Sequence, residues 1–124
     1  MKYVLVINPG STSTKIAIYS TESMEIHTEV VEHSAEEIRK YDHIADQDAM
    51  RKEAIVTVLR EKGIRKEDLA AVVGRGGLLK PIIGGTYLVD MDMINDLKNA
   101  VQGEHASNLG PILAKEIADE AGVN

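Results

Sequence analysis

The sequence predicts an α/β fold, a mixed sheet of short strands flanked by helices. Three observations lead there. The apolar runs are strand-sized, as in residues 4–7 (VLVI) and 70–73 (AAVV), far short of the ~18–20 residues that span a membrane. Three strand-like segments open the chain with only turn residues between them, the pattern of an antiparallel meander and unlike the strand–helix–strand start of a dinucleotide fold. Helical periodicity and strand composition then alternate to the last residue.

Taken in order, residues 3–8 are β-branched and apolar and read as a buried strand. Residues 9–14 (PGSTST) are turn material, residues 15–19 resume strand composition, and residues 24–31 form a third strand of more polar alternation. Ser34 and Glu37 make a capping box for a short helix, which residues 41–44 interrupt. A longer helix is predicted over 47–62, with Met50, Ala54, Ile55, Val58 and Leu59 on one face and Gly63 as its left-handed stop. Residues 69–73 read as a core strand leading into Gly74-Arg75-Gly76-Gly77. Pro81 and the pair Gly84-Gly85 predict a loop, then a short strand over 86–89. Asp90 or Asp92 caps a helix to about residue 100, with Ile94 and Leu97 inward. Asn108 is expected to cap the last helix, which holds Pro111 in its first turn and closes at Gly122. Residues 122–124 read as the way into another strand, so the chain is expected to be a fragment of an alternating fold.

Composition excludes several classes. The 124 residues allow one ordinary domain and hardly two, with 44% hydrophobic and 27% charged residues as in globular chains. The net charge is −6, and the one basic cluster (Arg60, Lys62, Arg65, Lys66) is interleaved with Glu61, Glu67 and Asp68. With four Tyr and no Phe or Trp there is little to stack on bases, so nucleic acid is not an expected partner. No cysteine is present and the first residues lack a signal-peptide pattern, so a cytoplasmic location is expected and no membrane association. His27, His33, His43 and His105 share no ligand spacing, and Asp46, Asp48, Asp90, Asp92 and Asp96 read as helix caps, so no metal ligand is assigned.

Three segments can carry chemistry. Residues 8–15 (NPGSTSTK) put one glycine, four hydroxyls and a lysine into a turn between strands, where amides, hydroxyls and a positive charge suit an anion. It is not a Walker A loop, lacking the second glycine and the following helix; a plain polar hairpin is the alternative. Arg75 among glycines at a strand end offers a two-pronged donor to a carboxylate or phosphate, the alternative being an arginine paired with an aspartate elsewhere. His105 and Asn108 lie at a predicted helix start, where an imidazole can donate to a developing negative oxygen; the alternative is a surface histidine beside an ordinary cap.

The opening VLVINPGSTSTK, the central VVGRGGLLKPIIGGTY and the later HASNLG together resemble the butyrate kinase family over essentially all of the chain. That family sits with acetate kinase among the sugar kinases, heat-shock chaperones and actin. The resemblance implies a ribonuclease H-like (actin-like ATPase) domain, an α/β fold with a mixed five-stranded sheet and flanking helices. Residues 1–124 would be the N-terminal acetokinase-type domain, with the second, nucleotide-binding domain absent from this chain. The implied reaction is reversible phosphoryl transfer between ATP and butanoate, giving butanoyl phosphate and ADP. Asn8, Ser11, Ser13 and Lys15 would face the terminal phosphates of ATP and their Mg²⁺, whose ligands lie largely outside this chain. Arg75 would bind the acyl carboxylate or the transferring phosphoryl group. His105 would lie at the acyl cleft with Asn108 lining or supporting it, and Leu78, Leu79 and Pro81 would touch the acyl chain. Alone, the fragment is expected to be inactive, and apolar surface left by the missing lobe offers a route to homo-oligomers. The rival readings are a branched-chain fatty acid kinase or acetate kinase of the same family, or a non-catalytic anion-binding or assembly domain.

Overall fold

Along residues 3–20 the side chains alternate between two environments, and that alternation decides which face of the sheet the helices cover. The computed structural model describes residues 2–22, 24–79 and 84–124. Strand β1 (Tyr3–Pro9) lies antiparallel to β2 (Ser13–Ser20), which lies antiparallel to β3 (Glu25–Glu32). Strand β4 (Leu69–Gly74) joins the other side of β1 in parallel, so the spatial order is β3-β2-β1-β4. The parallel pairing needs a crossover, supplied by the short helix α1 (Ala35–Ile38) and by α2 (Asp48–Glu61). Helices α3 (Met91–Lys98) and α4 (Leu109–Ala121) follow.

The core lies on one face of the sheet. Leu5, Ile7, Ile16 and Ile18 point into it, where they meet Ile55, Val58 and Leu59 of α2 and Ile112, Leu113 and Ile117 of α4. Leu97 of α3 closes one end. An aliphatic core without large aromatics follows directly from the composition. Strand β3 is an edge whose Glu25, Glu29 and Glu32 discourage further pairing. No helix among the described residues is long and apolar enough to cross a membrane.

Helix ends follow local rules. Ser34 Oγ accepts from the Glu37 amide (3.1 Å), Asp90 Oδ1 accepts from the Met93 amide (2.8 Å), and Gly122 ends α4 at φ +74°. Three sequence expectations are corrected. Among the described residues the sheet has four strands and not five, because residues 86–89 pair with no strand edge and leave Tyr87 and Leu88 exposed. The free edge of β4 is instead approached by the end of the chain, where the Val72 amide donates to the Asn124 carbonyl (2.8 Å). Asn108 makes no side-chain cap; a 3₁₀ turn, Ala106–Asn108, precedes α4, and the His105 ring caps that turn. On α2 the largest fully buried side chain is Arg51, while Met50 and Ala54 are only half-buried.

The contact between α2 and α4 predicts a pH dependence. Burial, then the adjacent Asp48 carboxyl, pushes Glu116 from an ordinary 4.5 up to about 7, against the opposing pull of Lys52 and Lys98. A raised carboxyl means that the folded chain holds an extra proton between those two values. Its stabilising share is complete below about pH 4.5 and is lost as pH rises through 7. Glu116→Gln should therefore be more stable than the parent at pH 8, by roughly 1–2 kcal/mol once solvent screening is allowed for, and no more stable at pH 4.5. Paired thermal melts at each pH would show it, and equal differences at both pH values would refute it.

Candidate functional site

The strand register gathers the site. Asn8 on β1 stands directly across from Lys15 on β2. Arg75 follows Gly74, the last residue of β4, which pairs with Ile7, and the Arg75 amide donates to the Ile7 carbonyl (2.9 Å). All three side chains lie on the sheet face opposite the core, where they line one concavity with Val6, Ala17, Tyr19 and Val73. Among the described residues the Arg75 guanidinium has no carboxylate or carbonyl partner, so it is not the internally paired arginine that its sequence also allowed.

The turn joining β1 to β2 is organised from within. The carbonyls of Ser11, Thr12 and Ser13 are each taken by a donor. Ser11 accepts from Arg51 Nη2 (3.2 Å), Thr12 from the His33 amide (2.8 Å), and Ser13 from Arg51 Nη1 (2.8 Å) and the Gly10 amide (2.7 Å). The amides of Ser11 and Thr12 have no acceptor among the described residues. Acceptor-free amides beside occupied carbonyls are an arrangement able to receive an anion. Arg51 Nε also donates to Gln47 Oε1 (3.0 Å), and Nη1 reaches Thr14 Oγ1 (3.3 Å). Thr14 Oγ1 also shares a hydrogen bond with His33 Nε2 (2.8 Å). Burial, then the Arg51 charge, holds His33 below its ordinary 6.5, opposed by Glu37 and Glu32.

Sequence reading missed Arg51, Gln47 and His33. A signal was there: Gln47 and Arg51 precede Ile55 and Leu59 at spacings of four, so they continue the apolar stripe of α2 as polar residues.

His105 and Asn108 take different places. Asn108 is 4% exposed and its amide is occupied at both ends, Oδ1 accepting from the Leu78 amide (2.7 Å) and Nδ2 donating to the Gly103 carbonyl (3.0 Å). It ties the loop after Arg75 to the segment before α4. His105 is exposed and does not line the concavity of Asn8, Lys15 and Arg75. Its Nδ1 accepts from the Ser107 amide (3.1 Å), so the neutral ring keeps its proton on Nε2. Glu104 accepts from the Ile44 amide (2.6 Å) and steadies the same segment from the other side. Leu78 is exposed, Leu79 packs against the core, and Pro81 lies outside the described residues. Among the described residues no group of three or more His, Cys, Asp or Glu side chains could hold a metal ion.

This geometry can be compared with known proteins. Butyrate kinase 1 of Clostridium acetobutylicum is 58% identical over 123 residues, covering 99% of this chain and 34% of that protein. The chain is homologous to the butyrate kinases. Butyrate kinase 2 of the same organism is 54% identical over 125 residues, covering all of this chain and 35% of the relative. A probable butyrate kinase of Clostridium botulinum is 53% identical over 120 residues, covering 97% of this chain and 34% of the relative. The chain thus spans about a third of the length of the curated relatives it matches. No family model matches. The crystal structure of a propionate kinase from Francisella tularensis superposes with a TM-score of 0.52 at 18% identity, covering 97% of this chain and 34% of that one. That likeness concerns the fold, and it agrees with the α/β architecture of a mixed sheet with flanking helices expected from the sequence.

Proposed function

We propose that this chain is the N-terminal lobe of a butyrate kinase, which transfers a phosphoryl group between ATP and butanoate. The observation that carries the proposal is the convergence of Asn8, Lys15 and an Arg75 without a partner among the described residues on one concavity, beside a turn whose Ser11 and Thr12 amides have no acceptor among those residues. The identity to butyrate kinases over the whole chain supports it.

In the forward direction a butanoate oxygen attacks the γ-phosphorus of ATP. A new P–O bond forms as the bond to the bridging oxygen of ADP breaks, and ADP leaves with that electron pair. The carboxylate is already an anion, so no general base is needed. The barrier lies in bringing it against phosphate oxygens of the same sign and stabilising the charge spread over them. Lys15 contributes a point charge, the Ser11 and Thr12 amides contribute oriented donors, and Arg75 contributes a planar fork that can hold a carboxylate or a phosphoryl group. The Ser11 and Ser13 hydroxyls add donors at the turn. His105 Nε2–H is the donor at the acyl cleft, on a segment that Asn108 holds in place. Mg²⁺ bound with the nucleotide would add charge neutralisation at the phosphates that Asn8, Ser11, Ser13 and Lys15 face, its ligands lying largely outside this chain. Cytoplasmic location belongs to this reading.

The full-length enzyme containing this segment should form butanoyl phosphate from butanoate and ATP, trapped as a hydroxamate, with a higher kcat/KM than for acetate, isobutanoate or isovalerate. A higher value for one of those acids would replace the substrate and keep the chemistry. No acyl phosphate from any of them would leave an anion-binding domain. The 124-residue chain alone is expected to give no turnover, and normal turnover would contradict its reading as one lobe.

A further inference from the structure

We propose that Arg51 is a positioning residue of the anion site, clamping the Ser11–Ser13 turn from inside and supplying the internal counter-charge for the anion bound outside it. The inference rests on the phosphate-binding reading of that turn.

Arg51 is 0% exposed, yet among the described residues no carboxylate pairs with it. All its recorded partners are neutral oxygens, those of Gln47, Ser11, Ser13 and Thr14. Taking a guanidinium out of water without a counter-ion is costly, and four neutral acceptors return only part of that cost. A fold meant only to brace a turn can do so with neutral donors. A full charge placed behind a turn with free outward amides is matched when an anion sits on those amides, on the far side of a thin layer of backbone. The two roles act together: the fork occupies the carbonyls of Ser11 and Ser13 beside the Ser11 and Thr12 amides, which have no acceptor among the described residues, and the charge adds its attraction through a medium that screens poorly. His33 completes the bracket by engaging the carbonyl of Thr12 through its amide and Thr14 Oγ1 through its ring.

The test titrates the chain with inorganic tripolyphosphate and follows backbone amide resonances by NMR for the parent, Arg51→Lys and Arg51→Met. The parent should show saturable shifts at Ser11 and Thr12. Arg51→Met should weaken binding by about tenfold or more, the scale of a charge-assisted contact. Arg51→Lys, which restores the charge without the fork, should fall between the two, a graded rescue that a purely structural role would not produce. If Arg51→Met does not fold, Arg51→Lys decides: weaker binding in a folded chain upholds the inference, and parental affinity overturns it. Unchanged affinity in a folded Arg51→Met overturns the inference while leaving the turn as the anion site. An absence of shifts at Ser11 and Thr12 in the parent overturns the anion site itself, and the inference with it.

Discussion

On the proposed phosphoryl transfer, Arg75→Ala should lower kcat/KM of the full-length protein by about 10³–10⁵-fold, the worth of an arginine placed on a transferring phosphoryl group. The structure explains why this loss should be read as chemistry and not as damage to the fold. The Arg75 side chain is exposed and has no partner among the described residues, so removing it orphans no buried group. Its backbone stays fixed through the Ile7 carbonyl. Stability should therefore move by no more than about 0.5 kcal/mol, as for ordinary surface changes. Lys15→Ala should cost less, about 10²-fold, because a lysine offers one mobile point charge where arginine offers two parallel donors. Steady-state kinetics with butanoate and ATP on both variants, beside thermal melts, checks the ranking. Near-equal losses would contradict it, and an Arg75→Ala enzyme within tenfold of the parent would remove Arg75 from the site.

The second large effect is on stability, at Gly110. The end of β4 and the first turn of α4 cross backbone to backbone, with no side chain between them. A Cβ on Gly110 would clash with the Arg75 carbonyl oxygen, and one on Gly74 would clash with the Gly110 carbonyl and lie 2.8 Å from the Pro111 nitrogen. Gly77 meets the same helix start, its Cβ falling 2.6 Å from the Asn108 Cα. Backbone atoms pinned in a sheet and a helix cannot turn aside as a flexible side chain can. Overpacking of buried sites costs about 1–3 kcal/mol and sometimes more, and Gly110→Ala should reach the top of that range or exceed it. A fall in Tm of about 10 °C or a failure to fold is expected. Gly76→Ala is the control: nothing lies within 4 Å of its Cβ, so it should be neutral or stabilising by up to about 1 kcal/mol. Equal melts for Gly110→Ala and Gly76→Ala would show that the crossing is looser than the structure has it. Because the same crossing sets the Arg75 carbonyl against the helix start, it also aims the Arg75 side chain at the concavity.

How far the site was legible can be argued residue by residue. Asn8, Lys15 and Arg75 could be picked from the sequence because glycine, hydroxyl and basic residues at strand ends have few structural reasons to cluster. Their meeting on one face needed the register, which pairs Asn8 with Lys15 and Ile7 with Gly74. The role of Asn108 was misread at its cap because a local rule was applied where a distant group, the Leu78 amide, competes for the same oxygen. The strand expected over residues 86–89 failed for a related reason. A strand needs a free edge beside it, and composition does not say where edges are.

The sequence by itself determined the three opening strands, the helix cap at Ser34, the stop at Gly122 and the resemblance to butyrate kinases. Those features depend on neighbours within a few positions or on the order of short motifs, so local physics or simple comparison reads them. Only the tertiary structure decided that Arg51 sits behind the turn with no carboxylate partner among the described residues, and that Gly74 and Arg75 meet Gly110 backbone to backbone. Those facts join residues 35 to 40 positions apart, and burial and pairing at that range exist only once the sheet has closed against α2 and α4.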